Sequence, residues 1–114
     1  MTPLLILLAL LMGAPPAVAL AVSPLVAFDP VEARLTATVQ PHRTNRILCF
    51  QIVSDVGIDT QSCRDLEGEQ APKTHTRWFK GLPAGNYAAQ AYVLRAGDHA
   101  QFSVVVTFQV LGRF

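Results

Sequence analysis

The sequence predicts an all-β protein, a seven-stranded antiparallel Greek-key sandwich that follows an N-terminal signal peptide. Three observations carry this prediction, and the first two are that apolar and polar residues alternate in short runs and that Gly, Pro or Asn occurs in the segments between the runs. A third is that no segment after the N-terminal apolar stretch has the periodicity of an amphipathic helix. With 114 residues, the chain is the size of one domain.

The N-terminal segment predicts export. An aliphatic run, Leu4–Met12, is followed by Pro15 and then by small residues, which is the order of a secretory signal peptide. We expect cleavage after Ala19, with Ala21 as the second choice. The protein would then be secreted or periplasmic, with no membrane span after cleavage. The alternative is an uncleaved N-terminal membrane anchor, because residues 4–22 are just long enough to span a bilayer.

These features divide the chain into a signal peptide (1–19), a short lead-in (20–25) and a β-sandwich domain (26–114). Nine basic and eight acidic side chains are scattered along the chain and leave a net charge of +1. A nucleic-acid partner requires a clustered basic face, so that class of partner is not expected.

Strands are predicted wherever side chains alternate, and the last of them has the most regular alternation. We expect Phe102, Val104, Val106, Phe108 and Val110 to face the core from that strand. The seven predicted strands are a short edge strand with Val26 and Phe28, then Ala33–Val39, Ile47–Val53, Ile58–Arg64, Lys73–Lys80, Asn86–Leu94 and Ala100–Leu111.

The two cysteines are predicted to form a cross-strand disulfide. A three-residue hairpin loop, residues 55–57, would be closed by Ser54 and Ile58, so that the numbers of paired residues sum to 112. Cys49 then lies directly opposite Cys63, at a separation that a small twist brings within disulfide range. The alternative, two free thiols, belongs to a reducing compartment.

The stretch Leu82-Pro83-Ala84-Gly85-Asn86-Tyr87 resembles the turn before strand F in fibronectin type III and related immunoglobulin-like domains. The resemblance implies that Leu82 fills the core, that Gly85 makes the turn, and that the Tyr87 hydroxyl bonds to nearby backbone. Two departures are an absent inter-sheet disulfide and Phe50 in place of the core Trp. Similar turns occur in transthyretin-like and carboxypeptidase-regulatory sandwiches. Such domains mostly serve adhesion, spacing or recognition, although fold alone does not fix function.

No catalytic or metal-binding pattern is found in the sequence. His42, His75 and His99 have no partner at a metal-ligand spacing, and no serine lies in a nucleophile motif. We therefore expect no enzyme activity, no metal and no cofactor.

A partner surface is the remaining expectation. If Phe50 faces the core, the outward side of one sheet is more apolar than a solvated face requires. The alternatives are that the N-terminal segment or a loop covers this side. The candidate surface residues are Ile47, Val53, Tyr92, Leu94 and, as a separate interface anchor, Trp78.

The predicted function is an exported, non-catalytic module that recognises an unknown protein or envelope partner, as a monomer or weak oligomer. The alternatives are a structural subunit that assembles by β-strand addition, or an accessory domain of a carbohydrate- or peptidoglycan-active system.

Overall fold

A computed structural model of the chain describes residues 16–97 and 99–113. Residues 1–15, with the apolar part of the predicted signal peptide, lie outside the described residues. The described chain contains one short 3-10 helix, Gly68–Gln70, and nine strands. The strands are β1 Val18–Ser23, β2 Val26–Phe28, β3 Val31–Val39, β4 Asn45–Ser54, β5 Asp59–Asp65, β6 Thr74–Leu82, β7 Gly85–Arg95, β8 Gln101–Phe102 and β9 Val106–Leu111.

The strands form two sheets that pack face to face, which confirms the predicted β-sandwich. The smaller sheet has the order β1-β3-β6, and the larger has the order β2-β9-β7-β4-β5, with β8 also paired to β7. Every pairing is antiparallel except that of β2 with β9, which is parallel. The expectation of a fully antiparallel sandwich is therefore wrong at this one edge.

The first strand begins earlier than the sequence suggested. Val18 is 1% exposed and pairs with Val39 across the β1–β3 ladder. Residues 20–25, expected to be a lead-in, include four of the six residues of β1 and the whole connection to β2. Cleavage after Ala19 remains a prediction, and it would divide this strand.

The core forms where the inward faces of both sheets meet, and Phe50 faces it as expected. Phe50, Leu35 and Leu48 are among the largest side chains that are fully buried. Ala91 lies directly opposite Phe50 in the β4–β7 ladder, and its small side chain leaves room beside the ring. The remaining inward positions are Val31, Ala33, Ala37, Val39, Ile52, Tyr87, Ala89 and Val93.

The β4–β5 hairpin has the predicted register. The Ser54 N–H donates to the Ile58 carbonyl oxygen at 2.8 Å, and Gly57 takes the left-handed conformation, with φ of 88°. Cys49 pairs with Cys63, and the two form a disulfide with a Cα–Cα distance of 4.1 Å. The predicted cross-strand bridge is confirmed.

The last strand is interrupted, and the single predicted strand 100–111 is wrong. Phe102 of β8 pairs with Tyr92, whereas Val106 of β9 pairs with Ala89. Residues 103–105 therefore oppose only two residues of β7. One extra residue in a ladder is a bulge, and it exchanges the inward and outward sides of the strand.

Ser103 stabilises this interruption. Its N–H donates to the Ala91 carbonyl oxygen (2.8 Å), its Oγ accepts from the Ala91 N–H (3.0 Å), and its hydroxyl donates to the Val104 carbonyl oxygen (2.9 Å). The serine is buried, whereas Phe102 is 59% exposed and Val104 is 75% exposed. The expectation that Phe102 and Val104 face the core is wrong, because the bulge turns both side chains outward.

The turn between β6 and β7 is anchored by Tyr87. Its hydroxyl donates to the Pro83 carbonyl oxygen at 2.6 Å, and its ring stacks on Phe108 with centroids 4.9 Å apart. Burial raises the pKa of Tyr87, and the charge of Asp55 adds to the effect, so the hydroxyl stays protonated and can donate. Leu82 is buried beneath the turn.

Removing the disulfide should lower the free energy of unfolding. The double variant Cys49→Ala, Cys63→Ala should lose about 3 kcal/mol, because the bridge closes a loop of roughly 15 residues in the unfolded chain. Denaturant unfolding with and without reductant measures this. Reductant should move the parent to the midpoint of the variant and leave the variant unchanged. Two free thiols in the unreduced parent would contradict the bridge.

Tyr87→Phe should lower the free energy of unfolding by about 1 kcal/mol, because the part-buried Pro83 carbonyl loses its hydrogen-bond donor. Tyr92→Phe is the matched control, since the Tyr92 hydroxyl bonds the exposed Gln61 side chain. Denaturant unfolding compares both variants with the parent. Equal losses of unfolding free energy in the two variants would contradict a specific stabilising role of the Tyr87–Pro83 hydrogen bond.

Candidate functional site: the outer face of the six-stranded sheet

Four of the five predicted surface residues lie together on the outer face of the six-stranded sheet. Ile47 is opposite Leu94, and Tyr92 is opposite the disulfide cysteine Cys49. Val53 lies further along β4 on the same face, because outward side chains recur at every second residue of a strand. The structure thus brings Ile47, Val53, Tyr92 and Leu94 onto one surface.

The bulge adds Phe102 and Val104, which were expected to face the core, to the exposed side chains of this surface. The Phe102 and Tyr92 rings pack in a tilted pair with centroids 5.3 Å apart. Val104 and Val105 follow on the exposed bulge. We define the apolar patch as the exposed or half-buried residues Ile47, Val53, Tyr92, Leu94, Phe102, Val104 and Val105.

Three glutamines form a row across the middle of the same face. Gln51 is central, with Gln61 of β5 and Gln90 of β7 directly opposite it. The Gln61 Oε1 accepts from the Tyr92 hydroxyl (2.8 Å), and the Gln90 Nε2 donates to the Ser103 carbonyl oxygen (2.9 Å). Within the described chain, the Gln51 amide has no such partner. It can therefore donate and accept hydrogen bonds with a bound molecule.

The register of the β4–β5 hairpin could have located two members of this row. The sum of 112 that pairs the cysteines also pairs Gln51 with Gln61, so the hairpin part of the row was already implicit in the sequence.

Trp78 lies apart from the other four predicted residues. It is on β6, opposite Arg34 in the three-stranded sheet, and the Arg34 guanidinium carbon is 5.8 Å from the ring centroid. Its side chain is 46% exposed and so points outward from that sheet. The neighbouring outward positions of that sheet are the small or polar residues Ala19, Ala21, Ser23, Thr36, Thr38, Thr74 and Thr76.

A groove of about 620 Å³ lies at one end of the candidate face, between Val53, Val26 and the loop that contains Asp55. Asp55 fixes this loop to β7: its Oδ1 accepts from the Asn86 N–H (2.9 Å) and its Oδ2 from the Asn86 side-chain amide (2.8 Å). These hydrogen bonds lower the pKa of Asp55. A Cβ at Gly85 would lie 3.0 Å from the Val56 Cγ2. Any residue larger than glycine at position 85 would therefore require a small displacement of this loop.

His42 and His75 each make a local contact, in separate parts of the fold. His42 interacts with the Thr44 hydroxyl (2.7 Å) in an exposed turn, and the buried His75 donates from Nε2 to the Pro72 carbonyl oxygen (2.7 Å). Among residues 16–97 and 99–113, no group of three or more His, Cys, Asp or Glu side chains could hold a metal ion. No helix in this part of the chain is long and apolar enough to cross a membrane.

The chain matches no known protein family, and no curated protein matches it significantly. Solved structures with a similar fold include a superoxide reductase (neelaredoxin) from Ignicoccus hospitalis, with a TM-score of 0.57 and 14% identity over 82% of this chain and 80% of that one. The CARDB domain of a Pyrococcus furiosus protein has a TM-score of 0.52 and 10% identity, covering 87% and 94%. The sulfur carrier protein SoxY from Chlorobium limicola has a TM-score of 0.50 and 13% identity over 97% of this chain and 96% of that one. At these identities the likeness establishes the immunoglobulin-like β-sandwich fold alone.

The Asp55–Asn86 contact should make the free energy of unfolding depend on pH in the acidic range. The folded-state pKa of Asp55 is lowered, so its contribution is fully present above the unfolded value and is lost as pH falls through the lower folded value. Asp55→Asn should therefore destabilise the protein near pH 6, and the difference from the parent should shrink as the pH falls below the unfolded value of 3.8. Denaturant midpoints across this range measure it.

Asn86→Ala is the companion variant, because it removes the side-chain donor and keeps the backbone N–H. It should show part of the same acid-dependent loss. A difference between parent and Asp55→Asn that stays constant with pH would contradict the assignment.

Proposed function

We propose that this protein is an exported, non-catalytic immunoglobulin-like module that recognises a protein partner of the cell envelope through the outer face of its six-stranded sheet. The observation that carries the proposal is the concentration of exposed apolar side chains on that one face. Phe102, Val104 and Val105 are each more than half exposed, and Val53 and Leu94 lie on the same face. Exposed apolar side chains concentrated on one face of a domain mark interaction sites.

The composition of the face fits a protein surface. Protein interfaces combine an apolar, often aromatic centre with hydrogen-bonding groups that pair across the contact. Tyr92 and Phe102 supply the aromatic centre, and the Gln51 amide supplies an unpaired donor and acceptor beside it. The apolar patch and the glutamine row are uncharged, and Asp59 and Asp65 lie opposite Val53 and Ile47 at the β5 side of the same face, so we expect a mainly uncharged partner surface with basic groups at that side.

Export is supported by two independent features. The N-terminal residues have the order of a signal peptide, and the single disulfide suits an oxidising compartment. The corner formed by Leu82, Gly85 and Tyr87 favours a fibronectin type III-like domain within the immunoglobulin-like group. The face contains no nucleophile with an adjacent base, which favours recognition over catalysis.

The test is partner capture with matched variants. Leu94→Lys places a charge at an exposed position in the patch and should abolish capture of a partner from the native envelope fraction, because an unpaired charge is costly to bury in an interface. Trp78→Ala, on the other sheet, is the control and should retain capture. Proteins bound to the immobilised parent and variants are identified by mass spectrometry.

Both variants must unfold near the parental denaturant midpoint, because their side chains are exposed. Retention of every parental partner by Leu94→Lys, or loss of the same partner in Trp78→Ala alone, would contradict the proposed face.

A further inference from the structure

The edges of the two sheets are protected unequally. At one side of the sandwich, β5 carries three charged residues, Asp59, Arg64 and Asp65, which discourage another strand from pairing there. The β6 edge is partly occupied, because the Arg64 guanidinium donates to the Thr76 carbonyl oxygen at 3.1 Å. Neither edge is a ready template for an additional strand.

At the other side, β2 and β1 differ. The β2 edge is only three residues long and lies between Pro24 and Pro30, whose lack of an N–H limits further pairing. The β1 edge, Val18–Ser23, contains no charge, proline or glycine. It ends the three-stranded sheet, so within the described chain no strand lies on its other side.

Alternate residues of β1 bond to β3, and this alternation identifies which backbone N–H and C=O groups point to the free edge. The Gln40 N–H donates to the Ala17 carbonyl oxygen at 2.9 Å, so Ala17 and every second residue after it bond to β3. The residues between them direct their N–H and C=O groups away from β3. These residues are Val18, Leu20 and Val22.

The sequence of β1 is symmetric about Leu20: Val-Ala-Leu-Ala-Val occupies residues 18–22. We infer that β1 pairs antiparallel with β1 of a second copy of this chain, around a two-fold axis at Leu20. That register places Leu20 opposite Leu20 of the second copy, and Val18 opposite Val22. The residues that meet are the same three whose backbone groups point outward, so about six backbone hydrogen bonds can form.

The side chains fit the same register. Leu20 packs against the core but is only partly buried, and the two-fold axis covers its exposed part with the same leucine of the second copy. The alternate positions, Ala19 and Ala21, are small and oppose each other without a clash. Identical, self-complementary strands are the requirement of a two-fold interface.

The product is one continuous sheet of six strands, in the order β6-β3-β1-β1-β3-β6. The candidate face belongs to the other sheet and remains accessible on both copies. Self-association and partner recognition are therefore separate properties, and failure of one leaves the other standing.

The pairing requires that the exported chain keeps Val18. Cleavage after Ala19 would remove Val18 from the strand, and cleavage after Ala21 would leave only Val22 and Ser23. The intact mass of the exported protein is therefore the first measurement. The inference requires a first residue at or before Val18, in place of the cleavage after Ala19 or Ala21 that the signal-peptide pattern predicts, and a chain that starts at Leu20 or Val22 would overturn it.

Charge exchange at position 20 tests the pairing itself. Leu20→Lys and Leu20→Glu each place two like charges against one another on the axis, so each variant alone should sediment as a monomer. An equimolar mixture brings opposite charges together and should recover the dimer, with the parent dimeric in the same concentration series. Sedimentation velocity measures the mass, in mild detergent where the N-terminal apolar segment is retained.

Val26→Lys is the matched control, because it charges an exposed valine on the edge strand of the other sheet and should leave the dimer intact. Because position 20 is only partly buried, both charged variants should remain folded. The denaturant midpoint of each variant checks this. A monomeric parent at every concentration, dimers of each single-charge variant, or a mixture that stays monomeric would overturn the inference.

Discussion

The register of β4 against its two neighbours is the constraint on which the rest of the structure depends. Side chains alternate along a strand, so a shift of one residue would exchange Phe50 in the core with Gln51 on the surface. The Gly57 loop fixes this register on one side, and the disulfide holds it covalently. On the other side, the pairing with β7 carries the register to Tyr87 at the corner.

This register also assigns different properties to the two sheets. Outward residues of the six-stranded sheet become aromatic, aliphatic and amide side chains around Tyr92, whereas those of the three-stranded sheet are mostly threonine and alanine. Along β1, the same alternation means that the backbone N–H and C=O groups that point away from β3 belong to three apolar residues, Val18, Leu20 and Val22. A surface for a partner and an edge for a second copy thus arise from one packing arrangement.

The sequence predicted those features that depend on short-range geometry. The hairpin register follows from a three-residue loop, and the corner follows from the turn before Tyr87. The bulge was hidden because valine occupies 104, 105 and 106, so the run looks alternating in either register. Val105, an apolar residue in the otherwise polar series of alternate positions, was the one visible irregularity. The strand β1 was missed because residues 17–21, in which alanine alternates with Val18 and Leu20, fit a signal-peptide cleavage site as well as an edge strand. The placement of Trp78 on the other sheet depends on topology, which residue spacing does not contain.

Site-specific photocrosslinking in the exporting cell tests the central claim, that recognition uses one face of the sandwich, most directly. A photoreactive phenylalanine derivative is placed at Phe102, inside the apolar patch, or at Trp78, on the opposite sheet; both side chains are exposed aromatics. The account predicts a discrete covalent adduct from Phe102 and none from Trp78. An adduct from Trp78 alone, or the same adduct from both positions, would contradict it.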